Sequence, residues 1–228
     1  MFRNIFCISL LATLTTCQAQ ASIVMNNTRV IYNARDREVT VPISNRSSKP
    51  VLVQSWLDDG EVNADPTTHH TPFVIFPPIA RVDGDSAKTL RLRMVNASTL
   101  PVDRESVFWL NVLDVPVKLP VGEKNRLQVA LQSRVKVFYR PAGLRGSPGK
   151  AVEELVWHSN GKGLTVTNPT AWHVSLVSVT SKEGEWSVDI IAPGKTRDFP
   201  LPLKASTPIG VTWIDDNGAI QIYDAVTQ

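Results

Sequence analysis

The 228-residue chain holds only two cysteines, Cys7 and Cys17, both near its start. They share that segment with Arg3, an apolar run from Ile5 to Leu14, and the small residues Ala19-Gln20-Ala21, the pattern of a secretory leader. Cleavage is expected after Ala21. The exported chain would then enter a disulfide-permissive compartment with no cysteine, which excludes a disulfide framework, a cysteine-type zinc site and a thiol nucleophile. A rival reading makes Cys17 a lipid-modified N-terminus. Leu14-Thr15-Thr16, however, lacks the small residue normally found directly before such a cysteine.

Other absences narrow the function further. No later window holds 18 or more consecutive apolar residues, so no membrane insertion is expected. The 24 basic and 21 acidic residues give a formal charge of +3, one unit less once Arg3 is lost. That is too weak to suggest nucleic acid as a partner. There is no H-E-x-x-H, G-x-S-x-G, P-loop or Rossmann glycine run. The histidine pair His69-His70 sits in a Thr/Pro-rich stretch and reads as a solvated loop, while His158 and His173 lie beside tryptophans without metal-ligand spacing. Neither a metal nor another cofactor is implied, and the chain does not read as an enzyme.

What is present is β structure. Sixteen prolines, many flanking short Val/Ile/Thr/Leu runs, argue against long helices, because proline inside a helix removes a hydrogen bond and clashes. Short β-like runs recur at roughly the 8–12-residue spacing of a sandwich or barrel: residues 23–32, 38–44, 51–57, 73–76, 87–95, 107–115 and 127–139. Val39, Val41 and Ile43 alternate with Thr40, Pro42 and Ser44, so one face is buried and one is wet. Pro42 cannot donate to a ladder and suggests an edge or a bulge. Glycines and prolines then cluster between Pro141 and Gly149, and a second β set follows at 154–158, 163–167, 172–180, 186–190, 196–199, 209–214 and 220–225. The fold class is all-β. Its expected layout is a leader at 1–21, one immunoglobulin-like sandwich at 22–141, a linker at 142–149 and a second sandwich at 150–228.

Among the six tryptophans, Trp56, Trp109 and Trp213 lie within apolar strand runs and Trp157, Trp172 and Trp186 near strand starts, which predicts core packing over sugar stacking. The run at 127–139 is unusual. A strand of that length is about twice the typical five or six residues. It presents Leu127, Val129 and Leu131 on one face and Gln128, Ala130 and Gln132 on the other. Read alone, it is most simply a central strand with one buried face. The other reading is an edge whose apolar row and unpaired backbone are left for a partner. Arg29 and Lys136 are each, in isolation, exposed strand cations. Brought together in a cleft, they would repel unless an anion such as a carboxylate lay between them.

At these residues the sequence resembles the periplasmic chaperones of the chaperone–usher pathway. The resemblance runs through Leu100-Pro101-Val102-Asp103-Arg104-Glu105-Ser106-Val107-Phe108-Trp109-Leu110-Asn111-Val112-Leu113-Asp114-Val115-Pro116, through Thr28-Arg29-Val30-Ile31-Tyr32, Leu52-Val53-Gln54-Ser55-Trp56 and Phe76-Pro77-Pro78, and through the stretch from Leu127 to Pro141. It implies two immunoglobulin-like domains in an L shape, fimbrial or pilus subunits and an outer-membrane usher as partners, and self-association through the uncovered edge as a further state. It implies that Leu127, Val129 and Leu131 enter the open groove of a subunit lacking its last strand, by donor-strand complementation. It further implies that Arg29 and Lys136 hold the subunit's C-terminal carboxylate, and that Glu105, Arg140 and Asp216 form an ionic link between the domains, with Asp215 the competing choice beside Asp216. The ten residues from Val117 to Arg126 resemble the short-loop branch of the family. Because Lys136 falls on the opposite face from the apolar row, a bulge or strong twist near Ser133 and Arg134 is expected. A secreted adhesin or carbohydrate-binding module of tandem immunoglobulin-like domains is the alternative.

Overall fold

The computed structural model describes residues 22–61, 71–115, 129–159 and 161–228. The expected leader, the His69-His70 pair, Leu127 and the connection before it lie outside the described residues.

Among the described residues the first half contains nine strands: β1 (Ile23–Met25), β2 (Arg29–Asn33), β3 (Val39–Asn45), β4 (Val51–Asp58), β5 (Phe73–Phe76), β6 (Ile79–Val82), β7 (Ala87–Met94), β8 (Ser106–Val115) and β9 (Gln132–Arg140). They form a four-stranded sheet ordered β1-β3-β7-β5 and a five-stranded sheet ordered β2-β9-β8-β4-β6. The inward sides of the two sheets meet in one core that includes Val41, Ile43, Val53, Leu90, Leu92, Leu110 and Val137. The alternation of Val39, Val41 and Ile43 is realised, with Val41 and Ile43 buried, and β7 repeats it: Leu90 and Leu92 are fully buried, and their neighbours Arg91 and Arg93 are exposed. Pro42 falls just beyond the last β1 pairing, Met25 with Ile43, so at that point β3 is paired only to β7.

A single helical turn, α1 (Pro148–Ala151), leads into the second half. Its strands are β10 (Val156–Ser159), β11 (Leu164–Thr167), β12 (Val174–Ser181), β13 (Gly184–Ser187), β14 (Ile190–Ile191), β15 (Thr196–Phe199), β16 (Pro208–Ile214) and β17 (Ile220–Val226). A sheet ordered β10-β11-β15 covers a larger one ordered β13-β12-β16-β17, with β14 paired to β12. The core between them holds Trp157, Leu164, Val166, Ile191, Leu203 and Val211, and Leu144 packs against it from the connecting segment.

Four expectations are corrected. The run at 23–32 is two strands, because the exposed residues Asn26-Asn27-Thr28 interrupt the alternation and the chain crosses from one sheet to the other. The long strand is shorter: β9 is the nine residues Gln132–Arg140, and Val129, Ala130 and Leu131 precede it without strand assignment. No bulge occurs near Ser133 and Arg134, since the β8–β9 register is unbroken from Ser106–Tyr139 to Leu113–Gln132. Trp56 and Trp109 are only partly buried and belong to neither core: they lie on the outer side of β4 and β8, where they alternate with core residues such as Val53, Phe108 and Leu110. Trp157 and Trp172 are buried, and Trp186 and Trp213 pack against the second core.

Candidate functional site

Parallel pairing of β2 with β9 sets Arg29 directly beside Lys136. The inward residues of β9, Val135, Val137 and Tyr139, belong to the first core. The alternate side chains, Arg134, Lys136, Phe138 and Arg140, therefore emerge from the outer side of the sheet. This resolves the question of faces without a bulge. One side of the strand serves the core and, further along, the apolar row; the other side serves the cleft against the second domain.

Arg29 lies at the floor of that cleft and is 8% exposed. Its Nη1 donates to the backbone oxygen of Ile214 at 3.0 Å and to Ser175 Oγ at 3.4 Å, both across the domain boundary. Its Nε is buried and has no acceptor among the described residues. Burial lowers the guanidinium below its usual pKa; Asp216 and Asp215 pull it back up, and Arg140 adds to the lowering. A buried cation with a spare donor is a ready receptor for an anion. Lys136 is more accessible, and its Nζ stands 3.8 Å from Asp189 Oδ1, an exposed carboxylate that leaves the ammonium free to exchange partners.

Arg140 joins the two domains. Its Nε donates to Glu105 Oε1 at 2.6 Å, while Nη1 and Nη2 donate to the two oxygens of Asp216, each at 2.7 Å. The planar guanidinium fork matches the paired carboxylate oxygens. Burial lowers its pKa, but the hydrogen bonds it donates to Asp216 and Glu105 outweigh that and the net shift is upward. Asp215 instead accepts from the backbone of Asn217 and Ala219 and from Gln221, shaping the turn between β16 and β17. Glu105 is itself buried, and its Oε2 accepts the backbone N–H of His173 at 2.9 Å. The His173 ring adds a contact to Phe138, with centroids 5.7 Å apart.

The exposed apolar segment lies at the other end of β9. Val129 is 60% and Leu131 46% exposed. The carbonyl of Leu131 still accepts from Asp114 N–H at 2.9 Å, so the ladder with β8 continues one residue beyond β9. On the other side β2 reaches only as far as Lys136, leaving residues 131–135 with a free edge among the described residues. Apolar side chains and an unpaired edge thus coincide, a few residues from two cations.

Residues 22–145 match the family described as pili and flagellar-assembly chaperone, PapD N-terminal domain, and residues 150–225 match pili assembly chaperone PapD, C-terminal domain. The chain belongs to the pili assembly chaperone family. Among its relatives, the chaperone protein FimB/FhaD of Bordetella pertussis is 41% identical over 216 residues, covering 91% of this chain and 88% of that protein. The probable fimbrial chaperone YadV of Escherichia coli is also 41% identical over 216 residues, covering 89% of this chain and 83% of that one. The YadV crystal structure superposes with a TM-score of 0.76 at 36% identity, over 90% of this chain and all of that one. A chain of the complex between the Salmonella enterica SafA pilin and the SafB chaperone gives 0.80 at 26% identity, over 92% and 98%.

Several members of the site escape sequence reasoning. Ser175, His173, Asp189 and the carbonyl of Ile214 come from the second domain and reach the cleft only through the domain packing. A lone serine or a backbone oxygen carries no pattern to read. No group of three or more histidine, cysteine or acidic side chains among the described residues could hold a metal ion.

Proposed function

We propose that this protein is a periplasmic chaperone that captures fimbrial subunits, lends each one the strand leading into β9, and passes it to an outer-membrane usher. Its role is stoichiometric binding rather than catalysis. The observation that carries the reading is the pairing of Arg29 with Lys136 at one end of a strand whose other end offers Val129 and Leu131 beside a free edge. The sequence places Leu127 at the next position of the same apolar row.

The chemistry supports a two-part grip. A C-terminal carboxylate, with pKa near ~3.3–3.7, is ionised at neutral pH and suits the unsatisfied Arg29 donor and the Lys136 ammonium. Burial of three aliphatic side chains, Leu127, Val129 and Leu131, contributes roughly 1.5–3 kcal/mol each. The cost of association, about 4–15 kcal/mol, can consume that entirely. Ladder hydrogen bonds along the free edge and the desolvated ion contact must supply the rest, as in other cases of β-augmentation. The ion contact also sets register, because a slip of one residue would turn every apolar side chain away from the groove. Glu105, Arg140 and Asp216 tie the two domains together beside Arg29.

Coexpression of the chain with fimbrial subunits encoded beside it, followed by pull-down from periplasmic extract, tests the reading. The wild type is expected to retain a subunit, while Arg29→Ala and Lys136→Ala remain folded and lose it. Normal retention by both variants refutes the anchor. Sugar binding by the isolated chain without subunit capture would favour an adhesin or carbohydrate-binding module.

A further inference from the structure

A polar network spanning three strands lies on the outer side of the five-stranded sheet, away from the core and outside the Arg29–Lys136 pair. Gln132 Nε2 on β9 donates to Asn111 Oδ1 on β8 at 2.8 Å, and Asn111 Nδ2 donates to Asp58 Oδ2 on β4 at 2.6 Å. Arg134 Nη2, again on β9, donates to Asp58 Oδ1, which also accepts the backbone N–H of Gly60 at 2.8 Å. Asn111 is fully buried and Asp58 is 2% exposed. The Arg134 guanidinium lies 4.9 Å from the centre of the Trp109 ring. The direction of each bond is fixed. A carboxylate only accepts, so Asn111 must turn its amide hydrogens to Asp58 and its oxygen to Gln132.

We propose that this network is a clamp that pre-orders the donor strand before a subunit arrives, and that Gln132, Asn111, Asp58 and Arg134 are positioning residues for capture. The inference rests on the strand-donating function. Its logic is geometric. Between Leu131 and Val135 the chain is laddered only to β8 among the described residues, since β2 stops at Lys136. A strand segment paired on one side and exposed on the other is where local fraying concentrates. The clamp grips two successive outward residues there, Gln132 and Arg134, and ties them to the interior of the sheet. The alternate side chains and the free edge are left unencumbered for a partner. A segment already held extended loses less conformational freedom on binding, which favours association. A buried ion pair is weak support for stability as such, and its directional bonds serve registry better than bulk stability.

Gln132 is exposed, so its replacement leaves the fold intact. Gln132→Ala removes the link, and Gln132→Glu keeps the shape but removes the donor. Gln132→Lys restores a donor toward Asn111 Oδ1. In the free wild-type protein, amide hydrogen exchange at residues 131–135 is expected to be slower than in the Ala and Glu variants, with unchanged melting temperature. Capture of a denatured fimbrial subunit encoded beside the chain is expected to slow about tenfold in those variants, equivalent to about 1.4 kcal/mol, with the Lys variant recovering most of it. Exchange at 131–135 that is the same in all variants overturns the clamp. So does faster exchange with unaltered capture. Failure of the wild type to capture any subunit overturns the strand-donating reading itself, and the exchange comparison still decides whether the network orders the segment.

Discussion

Gly218, in the turn between β16 and β17, approaches Thr28 of the first domain so closely that a Cβ built on it would lie 2.6 Å from the Thr28 hydroxyl oxygen. Its φ of +84° adds a second reason for glycine, because side chains rarely adopt that conformation. Gly218→Ala should therefore destabilise the protein by about 1–3 kcal/mol, combining backbone strain with the clash. Thr28→Ala in the same chain removes the offending oxygen and should return the steric part only. Thermal melts of the single and double variants measure both contributions, and additive losses would show that Thr28 is not the obstacle.

Arg140 also fastens the domains to one another, and its fork is specific. Glu105 is only 1% exposed at its side chain, so losing its cationic partner strands a buried charge. Arg140→Ala should cost about 3–5 kcal/mol. Arg140→Lys should recover only part of this, because an ammonium cannot reach Glu105 and both Asp216 oxygens with the same planar geometry. Urea unfolding followed by tryptophan fluorescence distinguishes the cases. Equal stability of the Lys variant and the wild type would show that charge alone suffices.

Asp58 sets an acid-side dependence. Burial pushes its pKa up, but hydrogen bonds from Arg134, Asn111 and the Gly60 N–H outweigh this and the net shift is downward. Its stabilising contribution is complete above the unfolded carboxyl pKa of about 3.9 and is lost as pH falls through the lower, folded value. Asp58→Asn should flatten the stability profile below roughly pH 4 and lower stability at neutral pH. Chemical denaturation between pH 2 and 7 reads this directly, and an unchanged acid limb in the variant would remove Asp58 from the account.

Much of this architecture is legible from alternation. Val39, Val41 and Ile43, and Leu90, Leu92 and Met94, announce two-faced strands because a sheet buried on one side repeats every second residue. Alternation does not say which side of a strand a bulky residue takes when both sides carry apolar groups, so Trp56 and Trp109 read as core residues and lie outside it. Nor does it show where a chain changes sheets. Three exposed residues, Asn26-Asn27-Thr28, make that switch and look like an ordinary polar stretch. The juxtaposition of Arg29 with Lys136 depends on a parallel pairing of strands more than a hundred residues apart, and local pattern has no access to it. A family resemblance does, because it carries whole topologies.

The exposed row offers the cleanest separation of stability from function. Val129 and Leu131 are both exposed and belong to neither core, so a charged replacement there can keep its carboxylate in water in the free protein. Val129→Asp and Leu131→Asp should each change unfolding free energy by less than about 0.5 kcal/mol, as is usual for surface positions. In a subunit groove the same carboxylate would be desolvated without a partner, a penalty of several kcal/mol. Capture should therefore fall by more than about a hundredfold, since each 1.4 kcal/mol is a factor of ten. Melting curves and subunit pull-down on the same preparations give both quantities. Retained capture with either aspartate would place the donated contacts elsewhere on the strand, whereas loss of capture with an unchanged melt assigns them to these two side chains.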